Sequence, residues 1–348
     1  MPPAPSLSEP EGATLRRQIE AALAAKESLA DRDLTGADLA GLDFSGCDLS
    51  GTFLEKARLA GCSFRGANVE RVVFARADLT GADFEGARAA GANFGEADLT
   101  GAKLTGGIDL SQTVFIRATL DRADLTGATL DEARISEAKC AGAILAGIRA
   151  TGLVVLKGDF RGVDLRGARI EKSVLLNVDL SGADLTGASF FRTSFVDAVI
   201  EDARLRGIKL ERVSLAKVER GSSLARSDLR GANLRRLNLR GVNLEGADLR
   251  EADLDDADFS GADLRGAKLT AAHAVRARFV KADLTGADAA RADLMGALMG
   301  GALVGGANFE EANLFRADGA KMKGDDRTSF KGANVKQVRV VPDRGRRG

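Results

Sequence analysis

The chain has 348 residues, with 50 basic and 50 acidic side chains and a formal net charge of zero. Binding nucleic acid by neutralising phosphates calls for a basic excess, and imitating DNA calls for an acidic one; the balance here argues against both. With 41 Gly, 5 Pro, 16 Phe, no Trp and no Tyr, the composition points to an internal repeat before it points to a globular domain.

Residues 1–13 contain Pro and Glu, lack the apolar core of a signal peptide, and are expected to be disordered. In the stretch that follows, Leu15, Ile19, Ala22, Leu23 and Leu29 fall near one helical face, with Thr14 as an N-cap. This predicts a helix over 14–30 that caps the structure behind it, since a repeat array needs its open end covered. No run of 18 apolar residues suggests a membrane span, and three cysteines cannot form a disulfide framework. A reducing cytoplasm is the expected compartment.

From Leu34 an apolar residue recurs every five positions (Leu34, Leu39, Phe44, Leu49, Leu54) and continues in phase to Leu104. After a one-residue slip the series resumes at Leu110 and runs unbroken to Leu215, then restarts at Leu224 and reaches Gly319. Two residues before each centre sits a smaller apolar residue, usually Ala. Asp or Asn stands between the two, and Gly commonly stands two residues after the centre. The unit reads Ala-(Asp/Asn)-Leu-x-Gly. The departures are slips near 105–109, 216–223 and 319–329, together with a weak zone from Ala150 to Gly158, all expected to mark bulges or loops.

A helix cannot use this pattern, because five residues advance about 500° and the leucines would spiral around it. A flat strand cannot use it either, because an odd period sends successive units to opposite faces. A chain that bends once per unit turns the same pair inward each time. Asp, Asn and Gly support such bends through local hydrogen bonds and positive φ. Phe44, Phe64 and Phe84 lie 20 residues apart, as do Phe259 and Phe279, so four units should close one coil and stack these rings in a rod-like prism.

The chemistry-bearing residues fit the repeat. His273 takes an outward Asp/Asn position, Cys47 and Cys62 take inward small positions and Cys140 an inward centre, so the cysteines are expected to be buried packing residues. The glycines of 296–309 keep the repeat's phase and lack a phosphate-loop pattern. No catalytic residue, metal ligand or cofactor site is expected, and an enzyme is not indicated.

Charge is patterned near the second slip. Arg220, Arg226, Arg230, Arg235, Arg236 and Arg240 face only Asp228 in their segment. They are followed by Glu245, Asp248, Glu251, Asp253, Asp255, Asp256, Asp258 and Asp263, relieved by Arg250 alone. Outward placement predicts a basic belt beside an acidic belt. The candidate partner-binding residues are Arg226, Arg230, Arg235, Arg236, Arg240, Asp253, Asp255, Asp256 and Asp258. A remnant at Phe330 and Val335 closes the repeat at 335. Residues 336–348 should supply a last strand through Val338 and Val340 and a basic tail with Arg344, Arg346 and Arg347.

Stretches such as ADLTGADF (77–84), ADLTGATL (123–130) and ADLREADLDDADFSGADLRGAKL (247–269) resemble the pentapeptide-repeat family over roughly 31–335. The resemblance implies an all-β fold, the right-handed quadrilateral β-helix, with the helix as a short N-terminal cap. It also implies a non-enzymatic scaffold that presents a rigid surface to protein partners. The neutral charge and the absence of a long apolar run predict no direct nucleic-acid or membrane contact, and a homodimer is possible but not indicated. The opening SLADRDLTGADLAGLDFSGCDLSG and the closing TSFKGANVKQVRVVP are similar to modules associated with bacterial type VI secretion clusters, which implies an accessory or adaptor role. The alternative is DNA-mimicking inhibition or protection of gyrase, as in the fluoroquinolone-resistance members. Those are strongly negative, whereas this chain is neutral.

Overall fold

The computed structural model describes residues 9–216 and 224–340. The chain divides into two compact units, Met1–Asp179 and Leu180–Gly348. Both are built from the same pentad.

At the local level each pentad is a short extended piece and a turn. The centre's carbonyl accepts from the N–H three residues on, as in Ala37 N to Leu34 O at 3.1 Å, and the residue two after the centre is left-handed, as in Gly36 at φ 70°. That is a type II turn, which requires positive φ at its third residue. The outward Asp or Asn braces it: Asp33 Oδ1 accepts from Thr35 N at 3.0 Å and Asp83 Oδ1 from Glu85 N at 2.9 Å. The Asp/Asn preference of the pentad is thus a turn requirement.

Coils stack in parallel register. In the first unit Asp33 bridges Phe53 and Asp38 bridges Arg58, a step of 20 residues that makes the coil four-sided. Leu34 N donates to Phe53 O at 2.8 Å and Phe53 N to Arg32 O at 2.9 Å, so each coil hands its backbone groups to the next. Where turn residues give way to β-branched and large apolar ones, the bridges lengthen into strands. In the first unit these are β1 (Val114–Ile116), β2 (Arg134–Ser136), β3 (Arg149–Thr151), β4 (Val154–Leu156), β5 (Arg169–Glu171) and β6 (Val174–Leu176). They pair in parallel as β1-β2-β4-β6 and as β3-β5. The second unit contains β7 (Ser189–Phe191), β8 (Ser194–Val196), β9 (Lys209–Glu211) and β10 (Ser214–Ala216), paired β7-β9 and β8-β10.

Both inward columns are buried in each unit, centres such as Leu39 and Leu249 at 0% exposure and small positions such as Ala82 and Ala252 likewise. The phenylalanines stack at coil spacing. Phe64 lies 5.2 Å from Phe44 and 4.6 Å from Phe84, and in the second unit Phe259 lies 5.1 Å from Phe279. Where a hydroxyl replaces Ala it returns its proton to backbone, as Thr52 does to Leu29 O at 2.8 Å.

Three expectations need correction. The helix α1 spans Glu9–Ala24, not 14–30. Pro10 stands in its first turn, where a missing N–H costs nothing, and it closes on left-handed Lys26. Leu29 then belongs to the first coil, donating to Asp48 O at 2.8 Å with 0% exposure. The weak zone 150–158 is neither bulge nor loop. It holds β4 in 20-residue register with β2 and β6, because Ala150, Leu153 and Val155 keep the inward phase. Cys47 is only half-buried, at a groove of about 540 Å3 lined by Leu23, Lys26, Ser28 and Asp43 where α1 stops short of the first coil's edge.

The register slips appear as changes in coil length. Arg88 bridges Asp109 and Asn93 bridges Val114, a step of 21, around left-handed Gly106 and Gly107. Arg204 bridges Asp228 and Lys209 bridges Asn233, a step of 24; the 217–223 part of that slip, with Arg220, lies outside the described residues. Asn308 bridges Ser329 and Asp318 bridges Arg339, again a step of 21, so the coil runs on through Val340. The basic tail with Arg344, Arg346 and Arg347, and residues 1–8, also lie outside the described residues.

Candidate interaction surfaces

The N-terminal edge is covered by α1. Ile19 and Ala22 are buried, and the Arg16 guanidinium donates to Asp38 O at 3.3 Å and Ala40 O at 3.1 Å, two edge carbonyls that face no preceding coil. In the second unit the inward residues Phe330, Val335 and Val340 of the last described coil are 36%, 52% and 68% exposed.

The two charged belts of the second unit do not stand side by side as separate fields. A 20-residue coil stacks 226–240 against 245–263, and the charges meet. Arg235 reaches Asp255 at 3.0 Å and Asp253 at 3.3 Å, Arg240 reaches Asp258 at 3.2 Å, and Arg236 reaches Asp256 at 3.9 Å. Arg226 turns back to Asp202 at 2.7 Å, and Arg230 pairs with Asp228 at 2.6 Å in its own pentad. Later coils add Arg276 to Asp256 at 2.7 Å and Arg278 to Asp258 at 3.5 Å. The surface is a mixed lattice, neutralised row by row. Hydrogen bonds from Arg230, Arg250 and Arg265 hold Asp228, Asp248 and Asp263 below the ordinary carboxylate value. Beside the lattice, Lys209, Arg212, Arg235 and Arg236 line a groove of about 380 Å3 over Leu210, Val213 and Leu237.

A second surface, on the first unit, has no counterpart in the charge pattern. The outward row through Phe53, Val73, Asn93, Val114, Arg134, Val154 and Val174 is one continuous ladder of bridges and strand pairs. Beside it run Ile116, Ser136, Leu156 and Leu176. Phe53, Ile116 and Val174 are 50%, 43% and 40% exposed. The sequence carries the signal, since apolar residues stand at the outward phases of these pentads, but a reading tuned to the inward phase passes over them.

The interior offers little room. The void among Phe279, Leu284, Met299 and Phe309 measures about 10 Å3, far below what a ligand pocket needs. His273 is exposed on its outward position. Burial pushes the Cys62 thiol up to about 11, and pushes Cys140 up as well. Among the described residues, no group of three or more His, Cys, Asp and Glu is placed to hold a metal ion. No described helix is long and apolar enough to cross a membrane.

The repeat geometry agrees with comparison to known proteins. The family "Pentapeptide repeats (8 copies)" matches residues 29–66, 67–106, 107–131, 159–197, 227–266 and 262–301, more than half of the chain. The chain belongs to the pentapeptide-repeat family, whose fold is the right-handed quadrilateral β-helix and whose members are non-enzymatic repeat proteins that typically mediate protein interactions. No curated protein matches it. Among solved structures, it is similar to trypsin-treated QnrB1, a plasmid-mediated fluoroquinolone resistance protein, at 25% identity over 47% of this chain and 84% of that one, with a TM-score of 0.40. It is also similar to HetL, involved in heterocyst differentiation regulation in the cyanobacterium Nostoc sp. strain PCC 7120, at 26% identity over 74% and 95%, with a TM-score of 0.29. A pentapeptide-repeat protein from the Arabidopsis thaliana thylakoid lumen matches at 36% identity over 29% and 63%, with a TM-score of 0.18.

Proposed function

We propose that the chain is a scaffold that holds a protein partner on the outer surface of its coils, acting as an accessory or adaptor of the kind found with bacterial type VI secretion. The supporting observation is that outward side chains stand in fixed rows at the 20-residue coil step, on a backbone whose groups are consumed by neighbouring coils. Such rows are pre-ordered, so docking to them costs little conformational entropy. The adaptor role rests on the opening and closing segments, 28–51 and 328–342, and on their likeness to secretion-cluster modules. Arg226, Arg230, Arg235, Arg236 and Arg240 with Asp253, Asp255, Asp256 and Asp258 form one candidate docking patch. Paired as they are, they suit a partner that carries both signs rather than a uniformly charged one.

The test is affinity capture with the intact protein and with a variant carrying Arg230→Glu, Arg235→Glu, Arg236→Glu and Arg240→Glu. Loss of a secretion-cluster protein from the variant supports the patch, and an unchanged set of partners removes it. Gyrase protection is the second reading. Its observation is the excess of carboxylates over 245–263, offset by the arginines stacked on them. A supercoiling assay at stoichiometric protein decides this reading: inhibition or drug protection favours it, and no effect rejects it.

A further inference from the structure

The face made by β1, β2, β4 and β6 departs from the rest of the first unit. Elsewhere in the first unit the outward positions are mostly Asp, Asn, Thr, Ser, Ala and charged residues, with apolar side chains such as Phe53, Val73 and Ile144 standing singly in their coils. Here Val114, Ile116, Val154, Leu156, Val174 and Leu176 point outward together. A contiguous apolar surface of this kind on a water-facing sheet marks an interaction site. Arg134 interrupts it, exposed, with Val114 one coil before and Val154 one coil after.

The charges along the corner beside this face are already satisfied. Arg76 pairs with Glu96 at 3.0 Å, Arg117 pairs with the same carboxylate, and Lys157 reaches Glu137 at 3.9 Å. Arg134 makes no ion pair among the described residues. A guanidinium flanked by apolar rows and lacking a carboxylate is the arrangement of an interface hot spot whose partner supplies the acid. A second copy of the chain fits poorly: β1, β2, β4 and β6 present no outward carboxylate that could meet Arg134.

The secondary structure of the occupant follows from the backbone. The N–H and C=O groups of β1, β2, β4 and β6 are used between coils, so the face cannot accept an added strand and must be packed by side chains. Coils repeat at roughly 4.8 Å, and a helix turn rises about 5.4 Å. A helix lying along the coil-stacking direction therefore places one turn over each coil, with little drift across four coils.

We propose that this face binds an amphipathic helix of a protein partner, with an Asp or Glu over Arg134 and apolar residues over the Val114, Val154 and Val174 rows. The helix reads apolar, acidic, apolar, apolar at i, i+4, i+7 and i+11. The inference rests on the reading of the chain as a protein-binding module and supplies that module's partner chemistry.

The test is a displayed library of 16-residue helical peptides, randomised along one face and panned against the full chain. The expected binders carry one central acid within an apolar stripe and lose at least tenfold in affinity for Arg134→Glu and for Leu156→Asp. Changing the peptide's acid to Lys restores binding to Arg134→Glu. Arg134 is exposed, so its variant folds, and circular dichroism confirms this. Binders that lack the acid, or that tolerate both variants, overturn the proposal. So does sedimentation showing a dimer of the chain that Ile116→Asp dissolves. Binders that respond only to the Arg235 and Arg240 variants sink this face but leave the protein-binding reading standing. No binder to any surface sinks both.

Discussion

Left-handed residues set the cost of each turn. Glycine fills many of these positions, but Ala271 adopts φ 55° with only a methyl group to show for it. An L-residue pays roughly 1–2 kcal/mol there, so Ala271→Gly should raise stability by up to about 1 kcal/mol after the glycine's own entropy cost is set against it. Urea denaturation checks the sign. Gly106→Ala should do the opposite, since its Cβ would sit 2.8 Å from Gly86 N, a backbone atom that cannot swing away. Titration is equally local. Hydrogen bonds from Arg327 and from Gly306 N hold the Asp325 carboxyl at about 2 rather than its ordinary 3.8. A depressed carboxylate stabilises the fold above its unfolded value, and that contribution fades as pH falls through the folded one. The Asp325 carboxyl resonance should therefore titrate with a midpoint near 2, and a midpoint near 3.8 would show the Arg327 contact absent in solution. The thiols divide by burial. Burial pushes all three thiols up, but Cys47 is half-buried whereas Cys62 and Cys140 are buried. Native protein should accept one equivalent of iodoacetamide, slowly and at Cys47, and the other two only on unfolding.

At the scale of the coil, stability is carried by stacked rings and by rows. Phe64 is held between Phe44 and Phe84. Phe64→Ala should cost about 3–5 kcal/mol, because a filled prism collapses poorly around a missing ring. Removing one arginine of the charged lattice should cost far less. Arg235 is solvent-facing, and exposed pairs contribute about 0–1 kcal/mol. The inward columns and the 20-residue coil were legible in the sequence because they repeat without exception over long runs. The pairing of Arg235 with Asp255 was not. It joins residues 20 apart, and only the closed coil makes them neighbours. Leu29 was misplaced because it satisfies two periodicities at once, the apolar face of a helix and the pentad five residues before Leu34. Cys47 was misplaced because the pentad phase is blind to where a capping helix ends. The apolar face over β1, β2, β4 and β6 was visible only to a reader who asked what the outward phases hold.

For the molecule as a whole, the fold leaves function to its outside. The inward positions are spent on packing, the family is one of non-enzymatic repeat proteins, and each compact unit offers a distinct surface. The second carries a neutralised charge lattice, and the first carries an apolar sheet face around Arg134, which makes no ion pair among the described residues. The central claim is that a partner protein is held on that outer surface. Photo-cross-linking in the source cells tests it most directly, with a benzophenone amino acid at position 156 or 174 and a control at position 268. The account predicts a discrete protein adduct from 156 and 174, absent from the control and abolished by Arg134→Glu. Adduct yields from the face no higher than those from the control would contradict it.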